Sequence, residues 1–285
     1  MHTKSSPPLI AGLSEIASEY DGVICDVWGV LHNGREKFAP AIDAMRRFRA
    51  TRGPVVLVSN APRPPEGVTA LFDKLGIPHD FYDSVVTSGG ETREDLVRRT
   101  ANGRRLKLFY LGPARDHPLF DGLNIELAEV NDAELVLCTG LYDDETETPD
   151  DYRELLEHFR LRGLPFLCAN PDIVVQRGDK LIYCAGAIAR LYETMGGEVI
   201  YYGKPYAPIF VAATRELHRH RAGNRPLIIG DGPETDIIGA NRAGIDALFI
   251  VGGIHGALIA DPSGIARMLS ESGVHARALM PALSW

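Results

Sequence analysis

Apolar residues fall along this chain in two textures: short unbroken runs, and longer stretches in which they recur every three or four positions. The first reads as strands buried on both faces, the second as amphipathic helices. Residues 11 to 20 carry Leu13, Ile16 and Ala17 at helical spacing and lead into Val23-Ile24-Cys25-Asp26-Val27-Trp28-Gly29-Val30-Leu31, a strand that ends by presenting a carboxylate before a Gly turn. From Ala39 to Thr51, Ala41, Ile42, Met45 and Phe48 make one apolar stripe among arginines, and Gly53 closes the helix. Pro54 to Asn60 is a second buried strand, again ending in polar groups, and Ala61-Pro62-Arg63-Pro64-Pro65 forbids its continuation. Strand, helix and strand in this order predict a parallel, right-handed βαβ unit.

A helix over Glu66 to Leu75, stopped by Gly76, and a short strand at Ser84 to Gly89 continue the pattern, with a helix opening near Glu91. From Leu106 the elements change partners. Strands at Leu106 to Leu111, Leu135 to Thr139 and Leu164 to Ala169, with helices at Asp151 to Leu161 and Ala185 to Met195, predict an inserted α/β domain over residues 86–197. The remainder, 1–85 and 198–285, forms a discontinuous core. There, Val199 to Tyr202 precedes Gly203-Lys204-Pro205 and an amphipathic helix from Ala207 to about His220, whose His218, Arg219 and His220 read as surface residues. Pro226 to Gly230 is a strand ended by Asp231, with Asp236 at the start of a helix over Ile237 to Ala243 that Gly244 closes. A strand at Ala247 to Val251 and a helix over Pro262 to Gly273 complete the chain. The fold class is α/β, with a parallel sheet flanked by helices.

Composition narrows the function. The 285 residues, 45% hydrophobic and 24% charged, suit a globular protein large enough for a generous core. A net charge of -8 argues against nucleic acid, which needs clustered Lys and Arg, and favours small-molecule work. The run Ala247 to Ala260, which contains His255, is too short to cross a bilayer, and the polar start Met1 to Pro8 reads as a frayed terminus without a secretory stretch. The cytoplasm is the default compartment, with no membrane partner. Cys25, Cys138, Cys168 and Cys184 form no CxxC pair and read as reduced packing residues, with strand alternation turning Cys25 away from Asp26. The acidic run Asp143 to Glu147 reads as a solvated loop without a role.

Three strands therefore deliver Asp26, then Ser59 with Asn60, then Asp231 to one sheet edge, with Lys204 in a loop. Open α/β sheets hold ligands just outside the carboxyl ends of their strands. Two carboxylates there suit a hard cation such as Mg²⁺, which takes oxygen ligands and keeps waters and substrate phosphate; Lys204 and the Ser59 hydroxyl would hold phosphoryl oxygens.

Asp26-Val27-Trp28-Gly29-Val30-Leu31, Val58-Ser59-Asn60, Gly203-Lys204-Pro205 and Gly230 to Asp236 resemble, in order and context, the four motifs of the haloacid dehalogenase superfamily. The insertion between the second and third motifs, and Ala169-Asn170-Pro171-Asp172 before a Gly-Ala helix, resemble its class IIA branch of NagD-like and 4-nitrophenylphosphatase-like sugar or nucleotide phosphatases. The resemblance implies a Rossmann-like core with an inserted cap domain, and Asp26 as a nucleophile that forms an aspartyl-phosphate. It also implies Mg²⁺ held by Asp26, the backbone carbonyl of Trp28 and Asp231, with Asp236 in support. Ser59 and Lys204 would bind the transferring group, and Trp28, Gly29, Asn60, Asn170 and Asp172 would line the substrate site, with Arg177 a further cap candidate. By analogy with related proteins, two copies pair through the cap.

One position departs from the family pattern. Its phosphatases carry a second Asp two residues after the nucleophile, to protonate the leaving oxygen and activate water; here that residue is Trp28. Indole donates a hydrogen bond but does not exchange its proton near neutral pH, and the missing group is worth about 10²–10⁴ in rate. Three readings follow: a slow or specialised Mg²⁺ phosphatase acting on a small phosphomonoester, with His32 or the substrate handling the proton; a metal-independent hydrolytic dehalogenase; or a non-hydrolytic phosphoester-binding protein. The intact nucleophile, phosphate and metal positions favour the first.

Overall fold

A computed structural model describes residues 7–177, 180–252 and 262–285. In chain order the strands are β1 (Gly22–Asp26), β2 (Val55–Ser59), β3 (Ser84–Thr87), β4 (Leu106–Leu111), β5 (Ile125–Leu127), β6 (Leu135–Cys138), β7 (Phe166–Cys168), β8 (Val174–Arg177), β9 (Lys180–Tyr183), β10 (Val199–Tyr201), β11 (Pro226–Gly230), β12 (Asp246–Ile250) and β13 (Ala278–Met280). The helices are α1 (Ala39–Thr51), α2 (Pro65–Leu75), α3 (Ser88–Arg99), α4 (Arg153–Leu161), α5 (Ala185–Thr194), α6 (Ala207–Arg219), α7 (Ile238–Ala243) and α8 (Pro262–Glu271). The chain divides into two compact units. The first comprises the segments up to Ser59, Leu71–Val86 and Phe210 onward; the second comprises Asn60–Ala70 and Thr87–Ile209.

The first unit is built on a sheet of order β13-β12-β11-β1-β2-β3. Every residue of β1 and β2 is buried, which is why both read as unbroken apolar runs rather than alternating ones. Strand order reverses at β1, whose neighbours are β2 on one side and β11 on the other, both parallel to it. The register pairs Cys25 with Ile229 and Asp26 with Val58, so the carboxyl ends of three adjacent strands coincide. Such a switch point leaves a crevice at the strand ends. α1 presents Ala41, Ile42, Ala44, Met45 and Phe48 as its buried stripe, and Gly244 ends α7 in the left-handed conformation, φ 69°.

The second unit carries a parallel sheet of order β10-β7-β6-β4-β5 and an antiparallel hairpin, β8–β9. Side chains alternate strictly across the sheet. Val136, Cys138, Phe166 and Cys168 join one core with Leu156, Phe159, Ile188 and Tyr192, while Leu135, Leu137, Leu167 and Ala169 join the opposite one with Leu96 and Leu119. Burial raises the Cys138 and Cys168 thiols well above their ordinary pKa, so both are inert packing groups as expected. The sheet extends past residue 198, because β10 pairs with β7.

Several elements differ from expectation. Residues 11 to 20 form two single 3₁₀ turns, Leu13–Glu15 and Ala17–Glu19, rather than a continuous helix. The apolar spacing is satisfied by burial of Leu13, Ile16 and Ala17, which one-turn segments achieve as well as a helix. α3 opens at Ser88 directly after β3, because the Thr87 hydroxyl accepts the Gly90 N–H at 2.9 Å and caps it. β5, β8, β9, β10 and β13 are three or four residues long and acquire strand character from their partners. Residues 253–260 of the C-terminal apolar run, with His255, lie outside the described residues. No helix among the described residues is long and apolar enough to cross a membrane.

Candidate active site

At the carboxyl ends of β1 and β11, Asp26, Asp231 and Asp236 each offer an oxygen within 4.8 Å of the others. Asp26 and Asp236 are buried, at 7% and 2% exposure. Adjacent parallel strands bring the first two together. Asp236 arrives from a wide turn, Pro233–Ile237, at the head of α7, where its Oδ2 accepts the Gly232 N–H and the Thr235 hydroxyl, both at 3.2 Å. Three carboxylates at this separation repel one another, and a divalent cation relieves the repulsion while using the oxygen donors it prefers. Ser59, 9% exposed, ends β2 beside β1 in the same unit.

The loop after Asp26 is tightly determined. Gly29 has φ +83°, and a Cβ there would overlap the Asp231 carboxylate, so only glycine lets the loop after Asp26 approach the end of β11. Its N–H donates to the His32 carbonyl at 2.8 Å, and the Leu31 N–H to Val27 at 2.9 Å. Gly34, φ +84°, lies under the benzo edge of Trp28, where a side chain would collide with Cη2. His32 is 1% exposed, edge-on to Trp28 at 5.3 Å and to Phe72 at 6.0 Å. Its Nδ1 accepts the Gly34 N–H at 3.0 Å, and Nε2 has no hydrogen-bond partner among the described residues. Burial lowers its pKa to about 4, so the imidazole is neutral and the hydrogen sits on Nε2. A ring so enclosed orders the loop and is not placed to exchange protons with a substrate.

The other anticipated residues gather within the second unit. The Asn60 carboxamide donates from Nδ2 to Asp172 Oδ1 at 2.8 Å and to the Lys204 carbonyl at 3.1 Å, while its Oδ1 accepts the Lys204 N–H at 2.7 Å. Asn170 Oδ1 accepts the Asp172 N–H at 3.1 Å, an Asx turn that fixes the direction of the Asp172 side chain. Lys204 is 4% exposed and precedes a cis Pro205. Asn60 thus clips the Lys204 backbone on both sides. Asn60→Ala is expected to lower stability by about 1–3 kcal/mol by removing the partners of buried polar groups. Asn60→Asp is expected to cost more, since a carboxylate cannot donate to the Lys204 carbonyl and faces Asp172; denaturant midpoints check both.

A model of the haloacid dehalogenase-like hydrolase family matches residues 23–126, and an HAD-hydrolase-like one matches residues 201–272. A crystal structure of a hydrolase of the haloacid dehalogenase-like family from Brucella suis 1330 is 47% identical, with a TM-score of 0.84 over 96% of this chain and 99% of that one. This chain belongs to the haloacid dehalogenase-like hydrolases. It is also 26% identical over 235 residues to the ribonucleotide monophosphatase NagD of Escherichia coli K12, covering 81% of this chain and 88% of that protein, which places it on the NagD-like branch. The fold is shared with a glycerol phosphate phosphatase from Mycobacterium tuberculosis in complex with magnesium, at 24% identity and a TM-score of 0.64 over 87% of this chain and 74% of that one.

One structural role in this haloacid dehalogenase-like hydrolase is not visible in its sequence. The acidic run is an anchor rather than a free solvated loop. Asp144 Oδ2 pairs with Arg115 at 2.5 Å and Arg177 at 2.9 Å, while Glu145 pairs with Arg177 at 3.3 Å and Lys180 at 3.1 Å, tying the β8–β9 hairpin to the 143–147 loop. Arg177 is engaged here. Burial raises the Asp144 pKa, but hydrogen bonds from Arg177 and Arg115 outweigh it and hold the carboxyl below its ordinary value. A depressed folded-state pKa contributes stability above the unfolded value, near 4, that is lost as pH falls through the folded one. Asp144→Asn is therefore expected to cost about 1 kcal/mol at pH 7 and progressively less as the pH falls below about 4. Hydrogen exchange in β8–β9 along that pH series measures it.

Proposed function

We propose that this hydrolase is a Mg²⁺-dependent phosphatase of small phosphomonoesters, of the sugar-phosphate or nucleotide-like class, that works through an aspartyl-phosphate on Asp26. The observation that carries the reading is the meeting of Asp26 with Asp231 and Asp236 at the switch point of the first unit's sheet. Asp26, the Trp28 carbonyl and Asp231 would hold the ion, with Asp236 oriented behind them by Gly232 and Thr235. When bound, Mg²⁺ supplies positive charge that offsets the negative charge of nucleophile and phosphoryl group. Asp26 presents an oxygen to phosphorus. Ser59 donates a hydrogen bond to a phosphoryl oxygen, and Lys204, in the Gly-Lys-Pro motif, neutralises charge on the transferring group.

Gly29 contributes by having no side chain, its N–H being bonded to His32. Asn60, Asn170 and Asp172 act on the substrate by ordering the Lys204 segment. A three-carboxylate cluster supports this reading over metal-independent dehalogenation, which has no use for it. Pairing of two copies through the second unit belongs to the same proposal, supported by the exposed Val174, Leu181 and Tyr183 of the β8–β9 hairpin, and sedimentation checks it. The central test is Mg²⁺-dependent phosphate release across a phosphomonoester panel. Release of halide from 2-haloacids without metal, with no phosphate from any ester, would replace the proposal.

A further inference from the structure

When a nucleophile displaces an alkoxide from phosphorus, the leaving oxygen becomes a strong base unless a proton reaches it in the same step. The geometry of the loop behind Asp26 points to a narrower substrate class: we infer that this hydrolase takes phosphoryl groups from weakly basic leaving oxygens, that is aryl, enol and acyl phosphates, in preference to alkyl phosphates. The inference rests on the phosphatase reading and revises its substrate class, since sugar phosphates and nucleotides are for the most part alkyl esters.

Residues 27–34 hold few groups that could move a proton. The Trp28 indole N–H does not ionise near neutral pH, and its ring is fixed between His32 and the Gly34 backbone. His32 has Nδ1 committed to the Gly34 N–H and Nε2 buried, in a ring walled by Trp28 and Phe72. Asn33 is an amide whose Oδ1 accepts the Arg35 and Glu36 N–H groups at 3.0 and 2.8 Å, closing a turn. Cys25 points its thiol at the Asp26 carbonyl, 3.1 Å away, and is fully buried. The loop is thus organised by bonds to itself, with its imidazole buried between Trp28 and Phe72.

The chemistry balances without a donor in this loop. The Asp26–phosphorus bond forms as the bond to the leaving oxygen breaks, and the electron pair departs on a phenolate, enolate or carboxylate that needs no proton. Water then attacks phosphorus and the pair returns to the Asp26 carboxylate. One water hydrogen stays on the new P–OH and the other passes to a phosphoryl oxygen, giving dihydrogen phosphate.

The test is kcat/KM in Mg²⁺ for phosphomonoesters graded from nitrophenyl through phenyl to alkyl, with acetyl phosphate added. The expected result is a steep fall with the basicity of the leaving oxygen, the alkyl esters carrying an extra deficit of about 10²–10⁴-fold that Trp28→Asp narrows. Aryl and alkyl esters turned over within tenfold of each other by the wild type would overturn the inference while leaving the phosphatase reading intact. Release from no ester at all would overturn both. If Trp28→Asp does not fold, the wild-type series decides by itself.

Discussion

Asp26→Asn is expected to abolish phosphate release, lowering kcat on the order of 10⁴–10⁶-fold, the scale on which loss of a nucleophile acts. The substitution keeps shape and hydrogen-bonding size but removes the charge and the nucleophilic oxygen. It carries a second, opposite signature. Asp26, Asp231 and Asp236 crowd three carboxylates within 4.8 Å, and two like charges at about 4 Å cost on the order of 1–4 kcal/mol between the aqueous and near-surface limits. Without metal, therefore, Asp26→Asn is expected to melt higher than the wild type. Inactive and more stable is the combination that a residue of purely structural importance would not give. Phosphate release by Asp26→Asn indistinguishable from wild type would refute the nucleophile assignment.

The second large effect concerns the cation. A ligand that binds only the folded state stabilises it by about 2.7 kcal/mol at a hundred times its Kd. Wild-type protein is expected to show that gain on Mg²⁺ titration, and Asp231→Asn to lose most of it together with phosphate release, because an amide is a poorer partner for a hard cation than a carboxylate. Asp236→Asn is expected to lose less of the stabilisation, since its Oδ2 is already held by Gly232 and Thr235. Differential scanning fluorimetry across a Mg²⁺ series, with and without chelator, separates the two. Equal stabilisation of all three proteins would place the ion elsewhere.

Much of the fold and of the candidate site is legible in the amino-acid order alone. Continuous apolar runs ending in Asp26, Ser59 and Asp231 fix three strands and put their polar ends at one edge, because parallel strands joined by helices all point the same way. The apolar stripe of α1 and the glycine that stops α7 define those helices nearly to the residue. Periodicity and capping are local, so local sequence determines them. What sequence could not determine was which polar groups answer one another across long separations. Asn60 and Lys204 are 144 positions apart, and Arg177 meets Asp144 through a hairpin whose short strands have no periodicity to read. Nothing near His32 in sequence reveals that its ring is enclosed, since Phe72 is forty positions away. The sequence by itself determined that Asp26 and Asp231 end neighbouring strands, that Asp236 follows at a helix start and that position 28 carries an indole in place of an acid. Only the tertiary structure decided that His32 faces inward, that Asn60 grips a backbone and that an acidic loop is an anchor, because burial and pairing are properties of the packed chain.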